Sequence, residues 1–173
     1  MIMSPWLRKF VLTTHITTTV GWSGAVIAFL GMAAIGLTSR NEQTVRGVYL
    51  VMEPTAKYVL VPLAFASLLI GIVQSLGSAW GLFRHYWVVF KLMIAVFATF
   101  VLLMYMETFA GMARIAADPT VDFAVVRNPS PLIHASLALI LLLVATVLAV
   151  YKPRGLTPYG WRKQLEQRAA SRP

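Results

Sequence analysis

Polarity along this chain changes on a scale of tens of residues, with long apolar runs separated by short polar segments. A membrane-crossing helix needs about 20 predominantly apolar residues, and four stretches qualify, at about 10–37, 58–80, 86–113 and 131–151. The mixed-polarity stretch TVRGVYLVME (44–53) leads into the second of them, so that helix can begin early with Pro54 as a kink rather than a stop. Beyond residue 152 the chain turns polar and basic. There LTPYGWRKQLEQR reads as a short interfacial helix, with Thr157 as its N-cap and Pro158 at its first position. No internal repeat or low-complexity linker is evident. The pattern predicts an all-α polytopic membrane protein: one domain over 1–173, an up-down bundle of four transmembrane helices, with a basic interfacial tail over 152–173.

Small residues indicate where those helices should touch. Ser67, Gly71, Ser75 and Ala79 recur every four positions, as do Gly21 with Ala25 and Gly24 with Ala28. Such spacing lets helix backbones approach closely in lipid.

Composition fits this reading. The chain is 58% hydrophobic and 12% charged, against about a quarter charged in soluble domains, and its mean hydropathy is +0.73. It contains no cysteine, which excludes disulfides, iron–sulfur clusters and thiolate zinc sites. The net charge of +9 lies at the ends of apolar runs and so reflects topology and anionic lipid, not nucleic acid. Arg8, Lys9, Arg84 and six tail residues (Lys152, Arg154, Arg162, Lys163, Arg168, Arg172) fall on one side. Arg40, Arg46, Lys57, Arg114 and Arg127 fall on the other, together with Glu42, Glu53, Asp118 and Asp122. Positive-inside asymmetry therefore predicts both termini in the cytoplasm. Trp6, Trp80, Trp87 and Trp161 gather toward that face as an aromatic belt would. The opening MIMSPWLRKF resembles a signal-peptide start, but its apolar run exceeds the 7–15 residues of such a signal, and it is read as an uncleaved first span.

Ionisable groups inside a bilayer are costly, which makes each one a candidate site. One layer lies toward the cytoplasmic side: His15, Gln74, Arg84, His85 and Lys91. His15 and Lys91 each sit about 8 Å inside their helices. His15 shares a helix face with Trp22, and Lys91 shares one with Trp87. An imidazole, two indoles and an ammonium suit a planar anionic macrocycle such as haem, with His85 as a further axial ligand. A second layer lies toward the outer side, with Glu53, Lys57, Glu107, Arg114 and His134 near Met32, Met52, Met104, Met106 and Met112. Plainer roles are open to all of them. His15 can hydrogen-bond a neighbouring helix, Lys91 can snorkel to headgroups, and His85 can sit in the interface. The threonines around HITTTVGW can bond back to their own helix, and the methionines can fill core gaps. Glu107 can pair with Lys57 or Arg114, and His134 can cap or cross-link its helix.

Residues 7–163 as a whole resemble an uncharacterised bacterial four-helix integral-membrane family, a domain of unknown function that implies no activity. Two motifs resemble the HemJ-type protoporphyrinogen oxidases: His-x6-Trp-x-Gly, matched by His15, Trp22 and Gly24, and Trp-x3-Lys-Leu, matched by Trp87, Lys91 and Leu92. That resemblance implies b-type haem held through the helical histidine and assisted by the lysine. The first helix of that family runs on to an Arg and a second His. Here FLGMAAIGLTSR supplies Arg40 and no His, a departure that bears on oxidase activity more than on cofactor binding. The tail TPYGWRK and the overall layout resemble the CopD-type copper-handling membrane domains, for which His134, Met104 and Met106 would be the relevant donors.

The expected function is a membrane protein that binds b-type haem or a porphyrin near the cytoplasmic face as a redox subunit. If it is an enzyme, it is a haem-dependent oxidoreductase. The alternatives are copper handling at the outer layer and a cofactor-free accessory subunit of a larger membrane complex. Expected partners are the lipid bilayer and other membrane subunits or a second copy. Hydrolases are disfavoured by the absence of GxSxG, HExxH and paired carboxylates on one helix. Transporters are disfavoured because neither interrupted helices nor repeats are evident.

Overall fold

The computed structural model describes residues 3–170. Helix α1 spans Pro5–Thr38, with Ser4 accepting from the Leu7 N–H and Pro5 at the first position. Asn41 caps α2 (Glu42–Thr55) through the Thr44 N–H. A five-residue π-helical segment, Ala56–Leu60, joins α2 without a break to α3 (Val61–Leu76). Helix α4 runs Tyr86–Ala117, α5 is the short Phe123–Val126, α6 covers Ser130–Tyr151 and α7 covers Pro158–Ala170. Among the described residues there is no strand, only an isolated bridge between His85 and Leu156.

Four helical stretches are long and apolar enough to cross a membrane: Pro5–Thr38, Glu42–Leu76, Tyr86–Ala117 and Phe123–Tyr151. The chain is a multi-pass membrane protein built as a four-helix bundle. Helices α1 and α4 each pack on both α2–α3 and α6, and so stand diagonally opposite each other. The first and third spans match the sequence expectation to within about five residues, and α6 (Ser130–Tyr151) matches the fourth, which lengthens to Phe123 when α5 is counted with it. The second follows the early-start reading: its helix begins at Glu42 rather than about 58 and runs through Pro54, and it ends at Leu76 rather than about 80.

The π segment explains the early start. Met52, Ala56, Leu60 and Ala64 are all at most 4% exposed, yet they are separated by three steps of four. On a regular α-helix those steps would drift about 120° around the axis. A π turn holds more residues per turn and takes up most of that drift, so one face stays inward. Pro54 and Pro62, which flank the segment, lack the N–H that would lock a regular ladder through it.

Helix α6 has 22 residues, about 33 Å, which matches a bilayer core of about 30 Å. Helix α4 has 32 residues and projects about 15 Å further, away from the termini. This far end is tightly packed. Val45, Tyr49 and Met52 there are at most 1% exposed. Arg46 bonds Glu42 and the carbonyls of Ala116, Asp118 and Val121 at 2.7–3.3 Å, which ties α2 to the C-terminus of α4. Tyr49 packs on Gly36, and its hydroxyl donates to the Asn128 carbonyl at 3.0 Å and accepts from the Asn128 N–H at 2.9 Å.

The opposite end gathers both termini. Met3 N–H donates to Gly77 O, Tyr86 N–H to Gly155 O and Thr157 N–H to Arg84 O. The expected tail helix is present with Thr157 as its cap, its hydroxyl accepting from the Gly160 N–H at 3.0 Å; Arg172 lies outside the described residues.

Two packing expectations are corrected. Gly21 meets Leu63, and Gly71 meets His15, but Gly24 faces open space, Ala28 is exposed, and Ala79 lies beyond the end of α3. Glu107 forms no ion pair among the described residues. It lies between the inward positions Tyr105 and Phe109, about 200° from each, and so points outward. Arg114 is about two turns away, and Lys57 rests over the Tyr58 ring instead.

Candidate functional site

The threonine-rich turn of α1 behaves as a membrane helix must when it carries polar groups. Thr14 and Thr18 bond back to the carbonyls of Phe10 and Thr14, and Ser23 to that of Thr19. Thr19 instead reaches across to Ser67 on α3 at 2.8 Å. That bond holds α1 against α3 one turn above His15.

The His15 imidazole packs against Gly71, where an added Cβ would come within 2.9 Å of its Cε1 and within 3.5 Å of both nitrogens. Lys91, on the diagonally opposite α4, is within electrostatic reach of that ring. Its Nζ stands 5.9 Å from the Trp87 ring centroid. His15 Nδ1, Gln74 Oε1 and Trp87 Nε1 are all buried without a hydrogen-bond partner. Buried polar atoms are ordinarily paired. An unpaired donor, acceptor and imidazole nitrogen at one end of a bundle form a polar layer able to receive a ligand or ordered water.

A cleft of about 750 Å³ opens outside this layer. Trp87 forms its inner wall, with Trp80, Trp161, Arg84, His85, Lys152 and Arg154 around it and no acidic residue in the lining. His85 Nδ1 lies 2.8 Å from the Trp80 carbonyl, which makes Nδ1 the protonated nitrogen and leaves Nε2 with a free lone pair. The Trp80 ring stands 5.1 Å from His85 and 5.5 Å from Trp87, edge to face in both cases. Lys152, left-handed at φ 46° as it ends α6, brings its Nζ to 5.4 Å from the Trp80 ring. Arg84 donates to Gln167 of α7 at 3.0 Å, while its Nε is buried and unpartnered.

The structure thus links Trp87, Lys91 and His85, with Lys91 Nζ 5.9 Å and the His85 ring 6.5 Å from the Trp87 ring, and sets His15 within electrostatic reach of Lys91. Trp22 is not among them. It is 3% exposed and lines a separate cavity of about 330 Å³ in the far half of the bundle. Seven residues along α1 preserve a face but also carry Trp22 about 10 Å deeper. His134 lines that same cavity, its Nδ1 2.8 Å from the Ser130 carbonyl and its ring 4.3 Å from Tyr105. The outer methionines do not converge with it. Met104 is 66% exposed, whereas Met106, about 200° around α4, packs against the core. Among the described residues no group of three or more His, Asp or Glu is placed to hold a metal ion.

Sequence reasoning missed Lys152, Arg154 and Trp161 as walls of the cleft. Their proximity to residues 80–87 depends on the tail folding back, and only the Pro-Arg-Gly turn after Lys152 hinted at such a reversal. Trp87, expected both in the interfacial belt and as a wall of the pocket, is buried at 8% exposure, unlike Trp6, Trp80 and Trp161. Comparison with family models, with curated proteins and with solved structures returned no match.

Proposed function

We propose that this protein binds a planar, anionic tetrapyrrole, b-type haem, at the end of the bundle that carries its termini, and serves as a redox subunit of a bacterial inner membrane with that end in the cytoplasm. The observation that carries the reading is His85. Its imidazole is oriented by the Trp80 carbonyl, the arrangement that prepares a histidine to ligate through Nε2, and it stands in a cleft walled by indoles and cations without a carboxylate. The donor set fits the group. Indole faces suit the macrocycle, Arg84, Lys152 and Arg154 suit propionates, and the unpartnered Trp87 and Arg84 N–H groups are donors awaiting an acceptor. His15 and Lys91 lie one layer deeper and would set the polarity beneath the ring. When bound, the haem iron supplies one-electron chemistry. The likeness of Trp87, Lys91 and Leu92 to the second HemJ-type motif adds to this reading, whereas the first motif would assign the iron to His15. The excess of cations over acids at this end supports its cytoplasmic placement.

The test is an absorption spectrum of detergent-purified, haem-supplemented protein before and after dithionite reduction. A Soret band that shifts on reduction is expected, abolished by His85→Ala and perturbed by His15→Ala. A protein that takes up no haem, or whose band is indifferent to both variants, would overturn the assignment and favour a cofactor-free accessory subunit.

A further inference from the structure

The cavity in the far half of the bundle is independent of the haem reading. All four spans contribute to its wall, and five of the contributed side chains are aromatic: Trp22, Phe29, Phe97, Tyr105 and Phe109. Its deep side is closed, with Trp22 and Phe29 at 3% and 2% exposure. Its mouth lies between α4 and α6, where Phe97 and Leu137 are each more than half exposed. In a membrane protein that exposure faces lipid, so a ligand reaches the cavity sideways from the bilayer. At about 330 Å³ it falls in the range of small-molecule sites.

One polar group stands at the rim with unused capacity. His134 Nδ1 faces the Ser130 carbonyl at 2.8 Å, and a carbonyl can only accept, so Nδ1 carries the proton. Tyr105 donates its hydroxyl proton to Ser130 Oγ at 2.6 Å, and its ring lies against the imidazole at 4.3 Å, tilted by 31°. Both fix the ring. Nε2 is then a lone-pair acceptor with no partner among the described residues. An acyl chain filling the cavity would leave that acceptor unmatched in hydrocarbon, at a cost, whereas a ring hydroxyl would match it.

We propose that this cavity binds the ring of a membrane-soluble hydroquinone, its faces against the aromatic wall and one hydroxyl donating to His134 Nε2. The test is calorimetric titration of the protein in lipid nanodiscs with 2-decylhydroquinone and with its dimethyl ether, which keeps shape and chain but cannot donate. The hydroquinone should bind about tenfold more tightly, the weight of one well-placed hydrogen bond. His134→Phe should bring it down to the ether's affinity, and Ala138→Phe, which fills the cavity, should weaken both probes. Equal affinity of the two probes for the unaltered protein would overturn the proposal, leaving a fenestration filled by lipid tails. So would undiminished hydroquinone binding in a folded Ala138→Phe variant.

Discussion

His15 keeps its place because Gly71 has no side chain. A methyl at position 71 would meet the imidazole at 2.9 Å, closer than real Cβ contacts come, so ring or helix must shift. Gly71→Ala is expected to destabilise the bundle by about 1–3 kcal/mol, the usual penalty of overpacking. In a double-mutant cycle His15→Ala should recover much of that loss. Strictly additive unfolding temperatures in detergent would show that the ring is not what Gly71 accommodates. At the far end, Asp118 accepts from the Thr120 hydroxyl at 2.6 Å and from the Thr120 N–H at 2.8 Å. The Thr120 hydroxyl, then its N–H, then the charge of Arg46 hold the carboxyl below its ordinary range. A lowered folded value contributes stability above the unfolded pKa and loses it as pH falls. The α4–α5 turn should therefore hold at neutral pH and begin to loosen below about pH 3.9. Hydrogen exchange at Thr120 should show that acid dependence, and Asp118→Asn should remove it.

Among the elements, α7 defines the cleft although it lies outside the bundle. Thr157 bonds the carbonyls of Phe83 and Arg84, and Gly160 sits so close to Arg84 that a Cβ there would overlap its carbonyl oxygen. Gly160→Leu should therefore undock α7 while leaving the four spans intact. Tryptic cleavage after Arg162 and Lys163 is expected to speed up about tenfold for each 1.4 kcal/mol of docking lost. An unchanged digestion rate would mean that α7 is held by other contacts. The π segment acts in the opposite direction, within the bundle. It lets a helix interrupted by Pro54 and Pro62 keep one buried face from the far-end cap through to the contact with α1.

For the molecule as a whole, the distribution of charge and of length agree. The termini, the 77–85 connection and α7 share one end, with Glu166 as its only acid among six in the chain. The other end carries the remaining acids and the tightly packed projection of α1, α2 and α4. Because the chain has no cysteine, single replacements report cleanly on sidedness. Ser4→Cys and Gln167→Cys are expected to react with a membrane-impermeant maleimide only after lysis of whole cells, and Arg40→Cys before it. The reverse pattern would overturn the assignment of the termini to the cytoplasm.

The four spans, the tail helix and the polar groups at the end that carries the termini were legible in the sequence, because hydropathy over 20 residues and the position of a charge along a helix depend on the helix alone. Rotation about each helix axis and the meeting of side chains from different helices were not. Trp22 shares a helix face with His15 in sequence, yet lies in another cavity, because α1 rises past the polar layer before Trp22 is reached. Met104 and Met106 read as one cluster by height, but α4 turns one to lipid and the other to core. The early start of the second span was legible only as an option, because α2 buries its apolar residues against protein rather than lipid, which calls for no continuous apolar run. The cleft around His85 exists only because α7 folds back on the 77–85 connection. Local pattern therefore determined what crosses the bilayer and at what depth its charges lie. Packing between helices decided which of those groups meet, since helix rotation and tail docking are set by contacts far apart in the chain.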